Sequence, residues 1–408
     1  MLEYVVQIKE LLESMDIDGS ALNLLRRTEL NKLIEFIGED VLKETIKGKH
    51  HACVYPEIIL QILCDICPQL RNPYTSINWI APTGYVDELK LIFQPEQRSP
   101  EWFAFRKNRL TASDIGSVLG KNHYTKPEQI LLKKCGYEKP FRMSPACAHG
   151  VKFEPIATQI YESRMNTTVH EFGCIAHPKY SFIGASPDGI CQNGVMLEIK
   201  NPESREIIGL PPIQYFIQMQ IQLEVCDLEL CDYLECTYSF YETLKDLCEE
   251  EKDNTHGHTE FGPVIEYNTV NNPKEEKYEY CPLNITVSKK EKWVHKTMER
   301  LQTLENLWGL PKVTWWALKE YSLVRIRRNT EWFQEALPQL EQFWKKVLKQ
   351  REIGIEAIVP PVRKKKQSVC RLLLDENEDS KTLTIAEENT VDDTEKKGDE
   401  VKKYVLQI

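Results

Sequence analysis

The amino-acid sequence predicts a mixed α/β protein: a central mixed β-sheet flanked by helices, with helical extensions at both ends. Three observations carry this reading. Between residues 101 and 238, apolar segments of helical period alternate with short β-branched runs, the order that builds an α/β core. Ahead of them, Leu11, Leu12, Leu22, Leu24, Leu25, Leu30, Leu33, Ile34 and Ile37 recur near the helical period. Behind them, residues 284–350 are too apolar for a linker and hold Trp293, Trp308, Trp315, Trp316, Trp332 and Trp344 on mostly helical patterns.

The elements follow in order. Residues 1–95 read as a helical accessory region, including a second apolar stretch, 56–70, closed at Pro68. The turn cluster 94–100 marks a boundary. Glu101, Trp102 and Phe103 then open a helix, and Thr111-Ala112-Ser113-Asp114 reads as the N-cap of another, running through Val118. A third helix fits 150–163. Residues 167–172, 173–177 and 180–185 read as strands, the last entering the turn Ser186-Pro187-Asp188-Gly189. Residues 195–200 form a strand stopped by Asn201-Pro202, 215–225 a helix and 230–238 a further strand. The principal domain is therefore expected over 96–350, with a helical C-terminal elaboration. From 351 to 408 the chain turns to Pro360-Pro361, the basic run Arg363 to Lys366 and then acid, which reads as a disordered charged tail.

Composition sets limits. The chain has 408 residues, 41% of them apolar and 28% charged, enough for one large domain or two ordinary ones. No run of about 18 apolar residues occurs, so no membrane helix is expected. The N-terminus lacks a basic region followed by an apolar stretch, and the 13 cysteines are scattered. Both point to a reduced intracellular protein, cytoplasmic or nuclear, and not a secreted one. Cys64-Asp65-Ile66-Cys67 has no second pair at zinc spacing and reads as buried helix cysteines. A net charge of −10 does not announce a nucleic-acid binder, yet acid is concentrated in 249–276 and 375–400, which leaves room for a local basic groove.

The chemistry is carried by Asp188, nine intervening residues, then Glu198-Ile199-Lys200. Glu198 and Lys200 are i and i+2 on one strand, so both project from the same face. If two strands pair as a hairpin, Asp188 approaches Glu198. Two close carboxylates repel unless a cation joins them, and hard oxygen ligands suit Mg²⁺ or Mn²⁺. Lys200 could orient an attacking water, depress its pKa or stabilise the extra charge on a pentacovalent phosphate. Glu154, on the helix at 150–163, offers a third carboxylate for a second ion. On its own this pattern is short and is more often a solvated strand edge.

The surroundings narrow it. Trp102-x(3)-Arg106-x(4)-Thr111-Ala112-Ser113, Gly150-x(3)-Glu154, Gly184-Ala185-Ser186-Pro187-Asp188-Gly189, Leu197-Glu198-Ile199-Lys200-x-Pro202 and Tyr215-x(2)-Gln218-x-Gln220 occur in this order. The set resembles the phage-lambda-type exonuclease (YqaJ) family of PD-(D/E)XK nucleases, in the longer version found in large DNA viruses. The resemblance implies a restriction-endonuclease-like core over the principal domain. It implies that Asp188, Glu198 and the Ile199 carbonyl ligate one Mg²⁺, that Glu154 ligates a second, with Mn²⁺ able to substitute, that Lys200 contacts the attacking water and that Gln218 lies beside the site. Arg106, Ser113 and Ser186 would hold the 5′-phosphate of the end being digested. A guanidinium does bind phosphate bidentately, and a hydroxyl at a helix N-terminus joins the amides there. The implied activity is Mg²⁺-dependent digestion of duplex DNA from the 5′ end to 5′-mononucleotides, leaving 3′ single strands for recombination, repair or viral genome processing. The implied partners are double-stranded DNA ends and a single-strand annealing or DNA-binding protein. Asn201 stands where the family usually has Cys, and the compact phage enzyme has no counterpart of the first 95 residues or the long C-terminal part, which leaves its ring-shaped oligomer open.

Other features read more plainly. His256 and His258 fall in a polar loop, and His149, His170 and His177 form no Ser/His/Asp order. Arg325 to Arg328 fits a DNA groove or a solvated helix face equally well. Two other functions compete: a same-fold endonuclease or RNA-degrading nuclease, and a non-catalytic scaffold that binds DNA ends.

Overall fold

Proline and capping side chains divide the chain into its elements. Helix α1 spans Tyr85–Leu91 and α2 spans Pro100–Lys107. The Ser99 hydroxyl accepts from the Trp102 amide at 3.1 Å and Pro100 occupies the first turn, so capping and preset φ start α2 together. Strand β1, Leu110–Thr111, runs directly into α3, Ala112–Val118. The expected cap at Thr111 is present, and the Asp114 carboxylate accepts both the Thr111 amide, at 3.1 Å, and its hydroxyl, at 2.5 Å. Helices α4, Pro127–Lys134, and α5, Pro145–Met165, follow. Helix α5 starts ahead of the predicted residue 150 because Ser144 accepts from the Cys147 amide at 3.2 Å and Pro145 fits the first turn.

The structure is a computed structural model that describes residues 81–97, 99–137, 144–253, 260–355 and 359, positions 8, 10–15, 33, 37 and 63 before them, and the backbone of three strands between 368 and 407. After α5 come β2, Val169–His170; β3, Ile175–Ala176; β4, Ile183–Ala185; β5, Gly189–Cys191; and β6, Met196–Lys200. Helix α6, Ile213–Cys226, leads to β7, Leu230–Tyr241, and α7, Leu244–Asp253. Strands β8, Phe261–Thr269, and β9, Asn272–Tyr280, precede α8, Val287–Gln302; β10, Leu307–Arg327; and α9, Thr330–Ile353.

Seven strands form one mixed sheet in the order β2-β5-β6-β7-β10-β8-β9. Within it β6 and β7 run parallel, so a crossover is required, and α6 supplies it. A smaller sheet, β1-β4-β3, pairs β1 with β4 in parallel, Thr111 opposite Gly184. The α/β expectation, a mixed sheet flanked by helices, is therefore met. The pleat sorts β6 between two apolar layers. Met196 joins the layer with Ile115, Phe216 and Tyr233, whereas Leu197 and Ile199 join the layer formed with Phe153, Ile156 and Ile160 of α5. Helix α6 lies close against α3: a Cβ on Gly116 would stand 3.1 Å from the Gln214 Cβ and 3.2 Å from its Cα.

Several expectations are corrected. The helical C-terminal elaboration is partly β: β10 is a 21-residue strand, and β8 and β9 precede it. Consecutive Trp315 and Trp316 face opposite sides of the sheet, which a helix would not allow, and the run is rich in the aromatic and β-branched residues that fit a pleated surface. Arg325 to Arg327 therefore lie on a strand and not on a helix face. Arg325 pairs bidentately with buried Asp232 at 2.7 and 2.8 Å, and Arg328 binds Glu224 at 2.9 Å and Asp227 at 2.5 Å. The turn cluster near residue 95 does not separate two units. Met1–Ile355 forms one unit, and Ile8, Leu12, Leu33, Ile37 and Leu63 are buried in the same apolar cluster as Ile115. Gln94 accepts from the Gly173 amide at 2.6 Å, and a Cβ on Gly173 would lie 2.5 Å from the Pro95 carbonyl, so the glycine admits this close approach. Predicted strands 167–172 and 173–177 shrink to two residues each.

The second unit is Glu356–Ile408. Where the charge pattern predicts disorder, β11, Ser368–Asn377, β12, Ser380–Asn389, and β13, Lys402–Gln407, form an antiparallel sheet in that order. The alternation Thr382, Leu383, Thr384, Ile385 is the strand signal that the surrounding charge obscured. Cys64, Cys67, His256, His258 and Arg363 to Lys366 lie outside the described residues. No described helix is long and apolar enough to cross a membrane.

His177 illustrates how this packing responds to pH. Its Nδ1 accepts from the Lys179 and Tyr180 amides at 3.0 and 3.4 Å, and its ring stacks 5.7 Å from Phe333. Burial, with Arg328 and Lys179 nearby, pushes its pKa down to about 4 from the ordinary 6.5. An unfolded chain thus takes up a proton that the folded one refuses. Stability is whole above pH 6.5 and falls as the pH drops toward 4, by at most about 1.4 kcal/mol per pH unit from this group. Urea midpoints at pH 7 and pH 5 are expected to differ less in His177→Gln than in the wild type; equal differences would remove His177 from the account.

Candidate active site

Asp188 reaches Glu198 by a route other than the expected one. Strand β4 does not pair with β6. It belongs to the smaller sheet, and the chain passes through Ser186-Pro187-Asp188 before forming β5. The hairpin is β5 with β6, Gly189 opposite Leu197 and Ile190 opposite Met196. Extending that register by one pair sets Asp188 against Glu198. The Asp188 carboxylate accepts from the Ile199 amide at 2.7 Å, which clamps the turn onto the strand. A Cβ on Gly189 would come 2.1 Å from Val169 Cγ1, so this position has no room for a side chain.

Glu198 and Lys200 share the face of β6 that looks toward α6. Glu198 is fully buried, and one of its oxygens, Oε1, accepts from both Lys200 Nζ and Gln218 Nε2, the latter at 2.6 Å. The other, Oε2, accepts from Gln222 Nε2 at 2.8 Å. Gln222 also lies 3.4 Å from the Ser186 carbonyl, so it ties the turn to the strand. Sequence reasoning missed Gln222 and included Gln220 in its motif. The signal was present: Gln218 and Gln222 are i and i+4 on one helical face. Gln220 faces elsewhere, bonding the Arg327 carbonyl at 2.7 Å and the Asn329 amide at 2.6 Å, and it anchors β10 and α9 to α6.

Glu154 approaches from α5, which covers the opposite face of the sheet. It is half-buried, and its charge reaches Asp188 where the strand begins. Burial raises the Asp188 pKa well above the carboxylate range; Glu198 and Glu154 push it further, against the pull of Lys200. Lys200 shows the reverse. Burial would lower it, but Glu198 and Asp188 hold it above the ordinary lysine value. Its ammonium also lies 4.9 Å from the Tyr215 ring centre. Lys200 is therefore held as a cation against Glu198.

Could this donor set hold a divalent ion? Glu198 is buried, half-buried Asp188 stands beside it and the two carboxylates repel, with the Ile199 carbonyl on the same strand and Glu154 at the rim. That is an excess of hard oxygen donors that a cation would relieve, so the residues fit. Among the described residues no three His, Cys, Asp or Glu side chains already converge as a finished ligand set.

The residues expected to hold a 5′-phosphate are brought together in part. Arg106 lies flat on Trp102, 4.2 Å from the ring centre, and its Nη2 stands 3.4 Å from the Ser113 hydroxyl. Ser113 Oγ is also 3.2 Å from Thr111 Oγ1. Underneath, buried Lys134 bonds the Arg106 carbonyl at 2.9 Å and Asp114 at 2.6 Å, fixing α2, α3 and α4 to one another. Ser186 joins the carboxylate side through its carbonyl. The parallel Thr111–Gly184 pairing brings the Thr111–Ser113 turn and Ser186 to the same, C-terminal, end of the β1–β4 pair.

The YqaJ-like viral recombinase domain matches residues 101–229, the segment that contains every site residue named above. The chain belongs to the YqaJ-like viral recombinase family. An uncharacterised protein of Acanthamoeba polyphaga mimivirus is 32% identical over 383 residues, covering 83% of this chain and 69% of that protein. A protein of African swine fever virus is 30% identical over 157 residues, covering 31% of this chain and 45% of its own length. The alkaline exonuclease LHK-Exo from Laribacter hongkongensis superposes with a TM-score of 0.39 at 19% identity, over 62% of this chain and 95% of that one.

Proposed function

We propose that the chain is a Mg²⁺-dependent exonuclease that digests duplex DNA from a 5′ end to 5′-mononucleotides. The observation that carries this reading is the buried Glu198, held by Lys200, Gln218 and Gln222 and set against Asp188. Asp188, Glu198 and the Ile199 carbonyl would hold one Mg²⁺ and Glu154 would complete a second site, supplying Lewis-acid activation of water and neutralising charge on the phosphate. Lys200 donates toward the water or a phosphoryl oxygen, and its charge opposes the charge that builds on phosphorus. Water adds to phosphorus, the bond to the leaving 3′-oxygen breaks, and that oxygen takes up a proton. The first nucleotide leaves as a 5′-monophosphate, and the next acquires a new 5′-phosphate. Arg106 and Ser113 would bind that phosphate, so each turnover regenerates the group that positions the following one.

Linear duplexes with a 5′-phosphate or a 5′-hydroxyl, closed circles and RNA form the decisive panel. The phosphorylated linear duplex should be consumed fastest, with 5′-mononucleotides as products. Cutting of circles or RNA at the same rate would make the chain an endonuclease or ribonuclease, and binding without cutting in Mg²⁺ or Mn²⁺ would make it a scaffold. Arg106→Ala should cost about 1.5–3 kcal/mol of binding to the phosphorylated end, the range of charge-assisted hydrogen bonds, and erase the preference over the hydroxyl end. Gln222→Met should lower kcat roughly 10–100-fold, as loss of a partner that orients a metal ligand does, with little change in KM. An unchanged kcat would assign Gln222 a purely structural role.

A further inference from the structure

Strand β6 stops at Lys200, opposite Glu235, but β7 continues to Tyr241. A cavity of about 280 Å³ opens at this end of the sheet. Its walls include Pro202, two residues beyond Lys200, and His149, Thr237, Phe240 and Lys319. Three features distinguish it from an ordinary crevice. Phe240 packs on Phe153 at 5.2 Å and edge-on to His149 at 5.9 Å, yet 47% of it stays exposed, so a rigidly held ring is presented to solvent. A β-bulge in β10 falls between Leu318 and Glu320, and the extra residue is Lys319, released from the ladder toward the cavity rim. His149 Nε2 and Thr237 Oγ1 are buried in the wall with no hydrogen-bond partner. The rim also carries Glu203, Glu206 and Glu320, while Arg205 is engaged with buried Glu235. Such a rim disfavours a free phosphate dianion, and what it offers is a flat aromatic surface with Lys319 beside it for a singly charged phosphodiester.

We propose that this cavity is a nucleoside subsite: it takes the base of one nucleotide of the DNA strand beside the scissile phosphate, stacked on Phe240, with Lys319 meeting the phosphodiester that follows. A base has a π-face whatever its identity, so the site would hold the strand without selecting sequence. The inference rests on the nuclease reading for its biological sense, but its test does not use cleavage.

Titration of the full chain in chelator with deoxyadenosine, with a 5′-phosphorylated dinucleotide and with inorganic phosphate should show binding of the first two and none of the third. Phe240→Ala should weaken deoxyadenosine about tenfold. Lys319→Ala should leave deoxyadenosine unchanged and weaken the dinucleotide. Lys200→Ala should bind deoxyadenosine like the wild type. A strand carrying 5-iododeoxyuridine should photo-crosslink within residues 237–241, a readout independent of whether any variant folds. Equal affinity in the wild type and a folded Phe240→Ala, or crosslinks confined to other segments, would overturn the subsite whatever the chain does to DNA. Binding and crosslinking as stated, in a protein that cuts nothing, would uphold the subsite and sink the nuclease reading.

Discussion

Asp188→Asn should reduce the rate of DNA hydrolysis by roughly 10²–10³-fold or more, the size of effect seen when a preorganised electrostatic group is removed from a buried site. The substitution preserves shape and keeps an oxygen to accept the Ile199 amide. What it removes is the charge. That charge is unfavourable in the free protein, because burial and the neighbouring Glu198 and Glu154 all raise the Asp188 pKa. Asp188→Asn should therefore melt no lower than the wild type without metal. Millimolar Mg²⁺ should raise the melting temperature of the wild type, since a ligand that binds only the folded state stabilises it, and should do so far less in the variant. Melting curves with and without Mg²⁺, beside a nuclease assay, check all three statements. A variant that is both less active and markedly less stable without metal would mean that Asp188 serves the fold.

The largest effect on stability is expected at Lys134. It is 1% exposed and Asp114 is 3% exposed, so neither charge has water to turn to. Burial alone would raise the Asp114 pKa, but Lys134 and Lys133 hold it well below the carboxylate range. Lys134→Met leaves that carboxylate buried beside only the more exposed Lys133, and breaking such a pair typically costs about 3–5 kcal/mol. The Lys134→Met/Asp114→Asn double variant should recover much of the loss. Urea unfolding of the three proteins provides the cycle, and a single variant within about 0.5 kcal/mol of the wild type would show the pair to be dispensable. Because Lys134 also bonds the Arg106 carbonyl, preference for a phosphorylated end should weaken in the single variant.

Much of the site was legible because its chemistry is local in sequence. Glu198 and Lys200 alternate on one strand, and the pleat alone puts them on one face. Thr111 to Asp114 carries its own cap. The hairpin partner was not legible: β4 and β5 are separated by three residues, and only the tertiary arrangement decides which of them meets β6. Gln222 escaped notice because it is one of four glutamines on α6 and carries no charge signal, and only the neighbouring Glu198 gives it meaning. Within the Trp-rich stretch, Trp293, Trp332 and Trp344 do lie on helices, and only the part holding Trp308, Trp315 and Trp316 was misread, for a different reason. Aromatic residues serve either element, and the 21-residue length of β10 exceeds what a strand usually reaches. Its two long neighbours, β7 and β8, account for that length.

The central claim is that the residues around Lys200 hydrolyse DNA from an end. A 5′-phosphorylated duplex labelled at its 5′ end, incubated with the wild type and with Lys200→Ala in Mg²⁺ and in chelator, tests it most directly. The account predicts rapid release of labelled mononucleotide by the wild type in Mg²⁺, none in chelator, and at most about a hundredth of the wild-type rate from Lys200→Ala. Equal release by the two proteins, or release that persists in chelator, would contradict it.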